Sequence, residues 1–212
     1  MTEPLTWQVL IPTIPHRHGK LRGLLKVLDA QMRPGVRVTV WRDNLEHSYA
    51  SKLQGLYDSA TAEYVSSLAD DDSVAPDFIP RCLEAMAGRP DYVGFRVLWT
   101  EAGVPQIPVR HSLSCRAWYG TGLEMGRDLM YYNPVRREHA DKVRFRGRDC
   151  DREWADDLRA LGIVETEVFI DAEMLYYRHD RADDFYVARK PLPESEILPL
   201  PSYPWLDVLA VP

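Results

Sequence analysis

The first half of the chain alternates between strand-like and helix-like segments, and this alternation restricts the fold more than any other feature. Four apolar or β-branched runs predict buried strands, and the segments between them carry apolar residues at helical spacing. The strands are predicted at 7–14, 36–41, 64–69 and 91–98, and the helices at 21–32, 49–62 and 76–87. Such an order is typical of an α/β fold, in which helices cover both faces of a mostly parallel central sheet.

The second half is less regular. Prolines and glycines in residues 100–125 predict loops and a hairpin, and a helix is expected at 152–161. Two short strands are predicted after it, at 164–170 and 174–177. From residue 191 onward, six prolines in 22 residues predict a tail that wraps the surface or is partly disordered. We therefore expect one domain over residues 1–190 and a Pro-rich C-terminal tail over 191–212.

Composition excludes several classes of protein. The 212 residues carry a formal net charge of -6, so no overall basic surface for nucleic acid is expected, and the basic stretch at 136–148 is interpreted as a solvated face. Three widely spaced cysteines predict reduced thiols and a cytoplasmic location. The N-terminus lacks the pattern of a signal peptide. No run approaches the ~20 apolar residues of a membrane helix, so no membrane span is expected.

Three consecutive aspartates, Asp70, Asp71 and Asp72, directly follow the third predicted strand, while Thr13 and Asp43 end the first two. Ligands of open parallel sheets bind beyond these strand ends. Carboxylates crowded in a cleft repel one another, whereas Mg²⁺ or Mn²⁺ binds such oxygens and bridges them to phosphates. The triplet therefore predicts a divalent-metal site for a phosphate-bearing substrate. The other interpretation is an acidic turn that caps the following helix.

Four segments in a fixed order carry a resemblance to a known family. They are Val9-Leu10-Ile11-Pro12-Thr13, the stretch 51–72 with its junction Ala62-Glu63-Tyr64 before the aspartates, Gly147-Arg148-Asp149-Cys150-Asp151, and Tyr176-Tyr177-Arg178-His179. Together they resemble the GT-A fold, family-2-type nucleotide-sugar glycosyltransferases, in which an Asp-x-Asp (DXD) motif binds the metal. The resemblance covers residues 7–180. Ala62 stands where the family usually has Gly, and Arg148 stands where it usually has Glu.

The resemblance implies a Rossmann-like GT-A catalytic domain, with a nucleotide-binding half at 1–98 and an acceptor half at 99–190. It implies a metal-dependent enzyme that moves a sugar from a nucleoside diphosphate sugar, a UDP- or GDP-sugar above all, to an acceptor hydroxyl. The implied cofactor is Mn²⁺ or Mg²⁺. The acceptor stays open between a protein, a glycan and a modified nucleobase.

The resemblance also assigns roles to single residues. The implied metal ligands are Asp70, Asp72 and His179, with Asp71 as an equally allowed ligand. The implied nucleotide-sugar site consists of Thr13, Pro15, Arg17, Asp43, Lys52, Asp70 and Asp71. Within it, Asp43 is expected to accept a hydrogen bond from a nucleobase ring N–H. Asp149 is the implied general base, with Asp151 as the second candidate; a single displacement with such a base inverts the anomeric centre, and a retaining route stays open.

Two other functions remain possible at this point. The run Asp70-Asp71-Asp72-Ser73-Val74 satisfies the Asp-x-Asp-x-Thr/Val pattern of haloacid-dehalogenase-like phosphatases, with Asp70 as nucleophile and Asp72 as acid/base. That family usually places this strand first, whereas two strand–helix units precede it here. The substitutions at Ala62 and Arg148 also permit a non-catalytic nucleotide-sugar-binding module. The aromatic pairs Trp118-Tyr119 and Tyr131-Tyr132 are expected in an acceptor platform or in the core.

Overall fold

The computed structural model describes residues 4–101, 104–115, 119–120, 125–147, 149–179 and 190–209. Its helices are α1 (His18–Asp29), α2 (Tyr49–Ser59), α3 (Phe78–Met86), α4 (Arg137–Ala140) and α5 (Cys150–Leu161). Its strands are β1 (Trp7–Thr13), β2 (Val36–Arg42), β3 (Tyr64–Ser67), β4 (Ser73–Val74), β5 (Tyr92–Glu101), β6 (Val104–His111), β7 (Tyr119–Gly120), β8 (Met125–Arg127), β9 (Val135–Arg136), β10 (Glu167–His179) and β11 (Leu206–Val208). Within these ranges, no helix has the length and apolar character that crossing a membrane requires.

The N-terminal half forms the predicted parallel sheet. Strand β1 lies between β2 and β3, parallel to both, with Trp7 opposite Val36 and Tyr64. All seven residues of β1 are buried, which requires cover on both faces because successive side chains point to opposite sides. On one face, the Phe78 ring of α3 lies 5.5 Å from the ring of Trp7. The predicted α/β class is therefore confirmed.

The second half makes the sheet mixed. Strand β9 runs antiparallel between β3 and β5, the β5–β6 hairpin is antiparallel, and β10 lies parallel to β5. The prediction of two separate strands at 164–170 and 174–177 was wrong, because β10 is one long strand. Its register against β5 shifts between Ile170 and Glu173 and again between Glu173 and Leu175. Such irregularities let a strand pass a polar interruption without ending.

The tail joins the sheet at its edge. Strand β11 pairs in parallel with β2, and the Arg37 guanidinium donates two hydrogen bonds of 2.8 Å to the Asp207 carboxylate across that pair. Farther along, the Asn44 side chain donates to the Leu192 carbonyl at 2.8 Å and accepts from the Leu192 amide at 2.9 Å. Residues 190–209 therefore wrap the β2 edge, as one of the two expectations for the tail proposed.

Asp91 ties three elements together at the opposite end of the sheet from the aspartate triplet. Its carboxylate accepts from the backbone amides of Glu165 and Thr166 at 3.0 and 2.9 Å, and from the Thr166 hydroxyl at 2.8 Å. The His139 ring on α4 lies 3.0 Å away. Burial acts to raise the pKa of Asp91, but these hydrogen bonds outweigh it and lower the pKa to about 2.

We expect Asp91→Ala to lower the free energy of unfolding at pH 7 by roughly 2 kcal/mol, because two amides lose their acceptor. A carboxylate with a depressed pKa stabilises the fold above its unfolded pKa of 3.8 and loses that contribution as pH falls through about 2. Urea titrations at several pH values measure this difference. The gap between variant and parent should narrow between pH 4 and pH 2; a constant gap would contradict the role given to ionised Asp91.

Candidate functional site

A buried chain of hydrogen bonds joins the carboxyl ends of β1, β2 and β3. Thr13, at the end of β1, donates from its hydroxyl to Asp70 Oδ2 at 2.5 Å. Lys52 on α2 donates to the Thr13 carbonyl at 3.0 Å and to Asp43 Oδ1, just past β2, at 2.9 Å. Thr13 therefore links the acid that follows β3 to the ion pair beside β2. This geometry brings together four residues that the sequence assigned to one site.

Asp43 is held by several donors at once. Besides Lys52, its Oδ1 accepts from the Leu45 amide at 3.3 Å, and its Oδ2 accepts from the His47 amide at 2.8 Å and lies 3.0 Å from the His47 ring. Burial acts to raise the pKa of Asp43, but Lys52 and His47 outweigh it, so the pKa lies below its usual value. Both oxygens therefore serve the β2–α2 connection. Its expected contact with a nucleobase stays a prediction.

Asp70 and Arg17 form the second part of the chain. Pro15, with its fixed φ, begins a single 3₁₀ turn over Pro15–Arg17 that places Arg17 above the strand ends. Arg17 Nη1 donates to Asp70 Oδ1 at 2.8 Å and lies 3.3 Å from Asp71 Oδ2. The Asp70 side chain is 2% exposed. Its burial raises its pKa despite the opposing effects of Arg17 and Thr13.

Asp72 lies among tyrosines. It is buried, and its charge adds to the effect of burial in raising the pKa values of Tyr49, Tyr132 and Tyr177, the last to about 12. Strand β4 begins at the next residue and pairs with β10, so that Ser73 lies opposite Tyr176. The third aspartate of the triplet therefore lies within electrostatic reach of phenolic side chains from three different parts of the chain.

The start of α5 comes close to the same place. Asp149 directly precedes α5 and is exposed, whereas Asp151 in the first turn is partly buried. The charge of Asp151 acts with burial, Asp72 and Asp71 in raising the pKa of Tyr177, so Asp151 and the triplet both lie within electrostatic reach of Tyr177. Arg148 lies outside the described residues. For His179, the backbone ends β10 opposite Glu101, and its side chain lies outside the described residues.

The donor atoms of the triplet fit a hard divalent cation that arrives with a diphosphate. Mg²⁺ is usually held by one or two carboxylates together with substrate phosphates and water, rather than by a complete protein cage. Asp71 and Asp72 supply carboxylate oxygens, while both oxygens of Asp70 accept from Thr13 and Arg17. Among the described residues, no group of three or more His, Cys, Asp or Glu side chains is arranged to bind a metal alone. A two-carboxylate site agrees with that geometry.

Sequence reasoning missed some of the tyrosines at this site. Tyr49 opens α2, and its hydroxyl lies 3.5 Å from the hydroxyl of Tyr131. Tyr131 and Tyr132 are both buried, which agrees with the core alternative, although Tyr132 also borders a cavity. Trp118 lies outside the described residues. Tyr176 and Tyr177 in the late motif were the sequence signal for an aromatic wall. Their position near Asp72 could not be predicted, because it depends on the pairing of β10 with β4.

The sheet order, the covering helices and the acidic strand end define the fold of GT-A-type glycosyltransferases. TarS from S. aureus, solved as residues 1–349 with UDP-GlcNAc, superposes with a TM-score of 0.64 at 13% identity over 84% of this chain and 60% of that one. The mannosyltransferase PcManGT from Pyrobaculum calidifontis, solved with GDP-Man and Mn²⁺, gives 0.57 at 13% identity over 87% and 59%. At such low identity, these superpositions establish the fold alone. The resemblance predicted from the four motifs is therefore confirmed for the fold.

The chain is shorter than the solved proteins that it resembles. It spans 60% of the TarS 1–349 structure and 37% of a longer TarS structure, to which it superposes with a TM-score of 0.61 at 14% identity over 82% of this chain. No protein-family model matches the chain, and no curated protein matches its sequence.

Asp43 and Asp70 should respond differently to loss of charge. Asp43→Asn leaves the Lys52 ammonium buried without its counter-charge and should cost about 3 kcal/mol or more, or roughly 6–12 °C in Tm. Asp70→Asn should leave Tm nearly unchanged at pH 7, because burial already disfavours the ionised form of Asp70. Differential scanning calorimetry of the two variants measures the contrast.

The double variant Asp43→Asn/Lys52→Met is the control, since it removes both charges and should recover part of the lost stability. Because the pKa of Asp43 is lowered, its contribution is present above 3.8 and is lost as pH falls through the folded value. Equal losses for Asp43→Asn and Asp70→Asn would show that the two acids do not differ as described.

Proposed function

We propose that this chain is a glycosyltransferase that moves a sugar from a nucleoside diphosphate sugar to an acceptor hydroxyl. The observation that carries the proposal is the buried hydrogen-bond chain from Asp43 through Thr13 to Asp70, which holds Arg17 and three carboxylates at one edge of the sheet. Solved proteins with this fold include one bound to UDP-GlcNAc and one bound to GDP-Man with Mn²⁺. A UDP- or GDP-sugar is therefore the proposed donor.

The proposed donor site divides the labour among the residues of this edge. Arg17 contacts the diphosphate, since a guanidinium binds phosphate oxygens in a bidentate manner. Asp70 acts as a positioning residue, because it accepts from both Thr13 and Arg17. Asp71 and Asp72 hold Mn²⁺ or Mg²⁺, and His179 at the end of β10 is the proposed third protein ligand.

Other residues at this edge of the sheet are proposed to position the donor site without binding the diphosphate. Pro15 sets the turn that carries Arg17, and the Lys52–Asp43 ion pair holds the ends of β1 and β2 in place beneath the nucleotide. Both side chains of that pair are almost completely buried. We therefore propose a positioning role for Lys52 and Asp43, with the nucleoside lying against the strand ends that they join.

The reaction needs stabilisation of a leaving diphosphate and removal of a proton from the acceptor. A bound divalent cation supplies the first without proton transfer. A carboxylate at the start of α5 removes the proton from the acceptor hydroxyl. As it does so, the acceptor oxygen bonds to the anomeric carbon, and the bond between that carbon and the oxygen of the leaving diphosphate breaks. The sequence motif favours Asp149 as this base, and the electrostatic reach of Asp151 to Tyr177 favours Asp151. Either arrangement inverts the anomeric centre.

A phosphatase mechanism receives no support from the geometry around Asp70. A nucleophilic carboxylate must present an oxygen to the incoming phosphate. Asp70 is 2% exposed, and its two oxygens accept from Thr13 and Arg17. The transferase proposal uses these same contacts to orient Arg17, so it accounts for the burial of Asp70 directly.

With Mn²⁺ present, we expect at least one UDP-, GDP- or dTDP-sugar to raise Tm and to be turned over to the nucleoside diphosphate. Asp72→Asn should reduce both effects at least about tenfold, as loss of metal-site groups commonly does. Asp207→Asn, which alters an exposed acid in the tail, is the matched control and should behave like the parent. If no sugar of the three nucleotides raises Tm or is turned over, the proposed transferase function is refuted. Hydrolysis of a simple phosphate ester instead would favour the phosphatase.

Replacing the base should lower turnover without weakening the donor. We expect Asp149→Asn or Asp151→Asn to reduce kcat by about 10²–10⁴, while the thermal shift produced by the nucleotide sugar stays that of the parent. Asp156→Asn, at an exposed position of the same helix, should keep parental turnover. If both Asp149→Asn and Asp151→Asn retain full turnover, the proton acceptor does not lie at the start of α5.

A further inference from the structure

A cavity of about 170 Å³ lies in the second half of the sheet and includes Tyr177 of β10 in its wall. It lies between β5, β6, β8 and β10, and its walls include Trp99, His111, Arg127, Tyr132 and Tyr177, with one valine each from β5 and β6. A cavity of about 150 Å³ is known to admit one benzene-sized ring. This cavity therefore has room for about one six-membered ring.

The strand that carries Tyr177 of the cavity wall pairs with the segment that directly follows the triplet. Tyr177 follows the residue that lies opposite Ser73 in the β10–β4 pair, and Ser73 follows Asp72 directly. Tyr132 and Tyr177 both line the cavity. Because Tyr177 is next to the residue that pairs with Ser73, a ring held in the cavity would lie near the segment that carries the triplet and the proposed donor diphosphate.

The walls are aromatic and apolar apart from one cation. The His111 ring lies 2.9 Å from the Asn133 side-chain oxygen, and the Asn133 amide nitrogen donates to the Val93 carbonyl at 3.0 Å, which fixes the orientation of the amide. His111 Nδ1 therefore carries the proton, and burial lowers the pKa of His111 to about 3, so the ring is neutral. Of the described residues that line the cavity, only Arg127 is charged at neutral pH.

Two charged residues near Arg127 have partners of their own. Asp128, the next residue after Arg127, pairs with Arg159. Arg110, on the neighbouring strand, stacks its guanidinium 3.7 Å above the Phe169 ring, away from the cavity walls. Arg127, at the end of β8, is itself one of the residues that line the cavity. Guanidinium groups bind carboxylate and phosphate oxygens in a bidentate manner.

We propose that this cavity is the acceptor pocket, and that it binds one monosaccharide unit carrying an anionic group, a carboxylate or a phosphate, which Arg127 recognises. The aromatic walls pack against the sugar ring, neutral His111 forms hydrogen bonds with its hydroxyls, and Arg127 binds the anionic group. This inference rests on the proposed function, because it names the acceptor of the same reaction. Its direct test measures acceptor binding alone and does not require a donor.

Three probes separate the sources of the charge: glucose, glucuronate and glucose 6-phosphate. Binding to the full chain is measured by calorimetry or saturation-transfer NMR, without donor. At least one anionic probe should bind about tenfold or more tighter than glucose, since charge-assisted hydrogen bonds contribute that much. The acid that wins identifies the carboxylate or the phosphate. Equal binding of all three probes, or no binding of any, would overturn the proposal.

Variants locate the site. Arg127→Gln should remove the preference for the anionic probe, and Arg127→Lys should restore part of it, while the nucleotide-sugar thermal shift stays parental. Arg110→Gln is the matched control and should keep the full preference. Val109→Phe, which fills the cavity, should weaken all probes together. An anionic preference that survives Arg127→Gln would overturn the proposal, whereas loss of the nucleotide shift in the parent would count against the transferase and leave the probe result to decide the pocket.

Discussion

The hydrogen bonds of Thr13 connect the Asp70–Arg17 ion pair to the Lys52–Asp43 ion pair. Its hydroxyl orients Asp70, and its carbonyl holds the Lys52 ammonium, which in turn is paired with Asp43. Because Thr13 ends the central strand of the three parallel ones, opposite Arg42 of β2, these contacts hold the segments that follow β2 and β3. Arg17 and Asp71 take their positions from Asp70. A shift of this one residue would displace both ion pairs.

Asp43 and Asp70, two of the buried acids, have different physical characters. Asp43 is compensated by a buried ammonium and by amides, so its ionised form is favoured and it stabilises the fold. Asp70 carries a raised pKa even beside Arg17, so its charge is kept at a cost to stability. Groups with such perturbed pKa values are concentrated at functional sites. The contrast separates an acid that builds the edge of the sheet from one that positions a ligand-binding guanidinium.

Local patterns predicted the first half of the fold well. Strands β1, β2 and β3 are buried on both faces and therefore appear as continuous apolar runs, whose ends bring Thr13, Asp43 and the triplet together. The pairing of β11 with β2 was beyond reach, since Arg37 and Asp207 are 170 positions apart. The continuity of β10 was missed because Asp171 and Glu173 look like a strand break, although the register shift absorbs them.

The least predictable parts were those made by several distant segments. The sequence indicated that Asp43 has a polar role, but its connection to the end of β1, through Lys52 and the Thr13 carbonyl, forms only in the folded sheet. The cavity beside Tyr177 is built from four strands, and Arg127 follows a region with no recognisable pattern. The site therefore combines a strand-end motif that is readable from sequence with walls that depend on the sheet order.

If Asp71 and Asp72 bind a divalent cation together with a nucleoside diphosphate, Mn²⁺ should bind more tightly when the nucleotide is present. Titration of Mn²⁺ followed by electron paramagnetic resonance measures this difference, because the signal reports free Mn²⁺ without requiring turnover. We expect weak binding of Mn²⁺ alone and binding at least about tenfold tighter with UDP or GDP, since two carboxylates need phosphate oxygens to complete the coordination. Mn²⁺ binding that neither nucleotide strengthens would show that the two carboxylates form no such joint site.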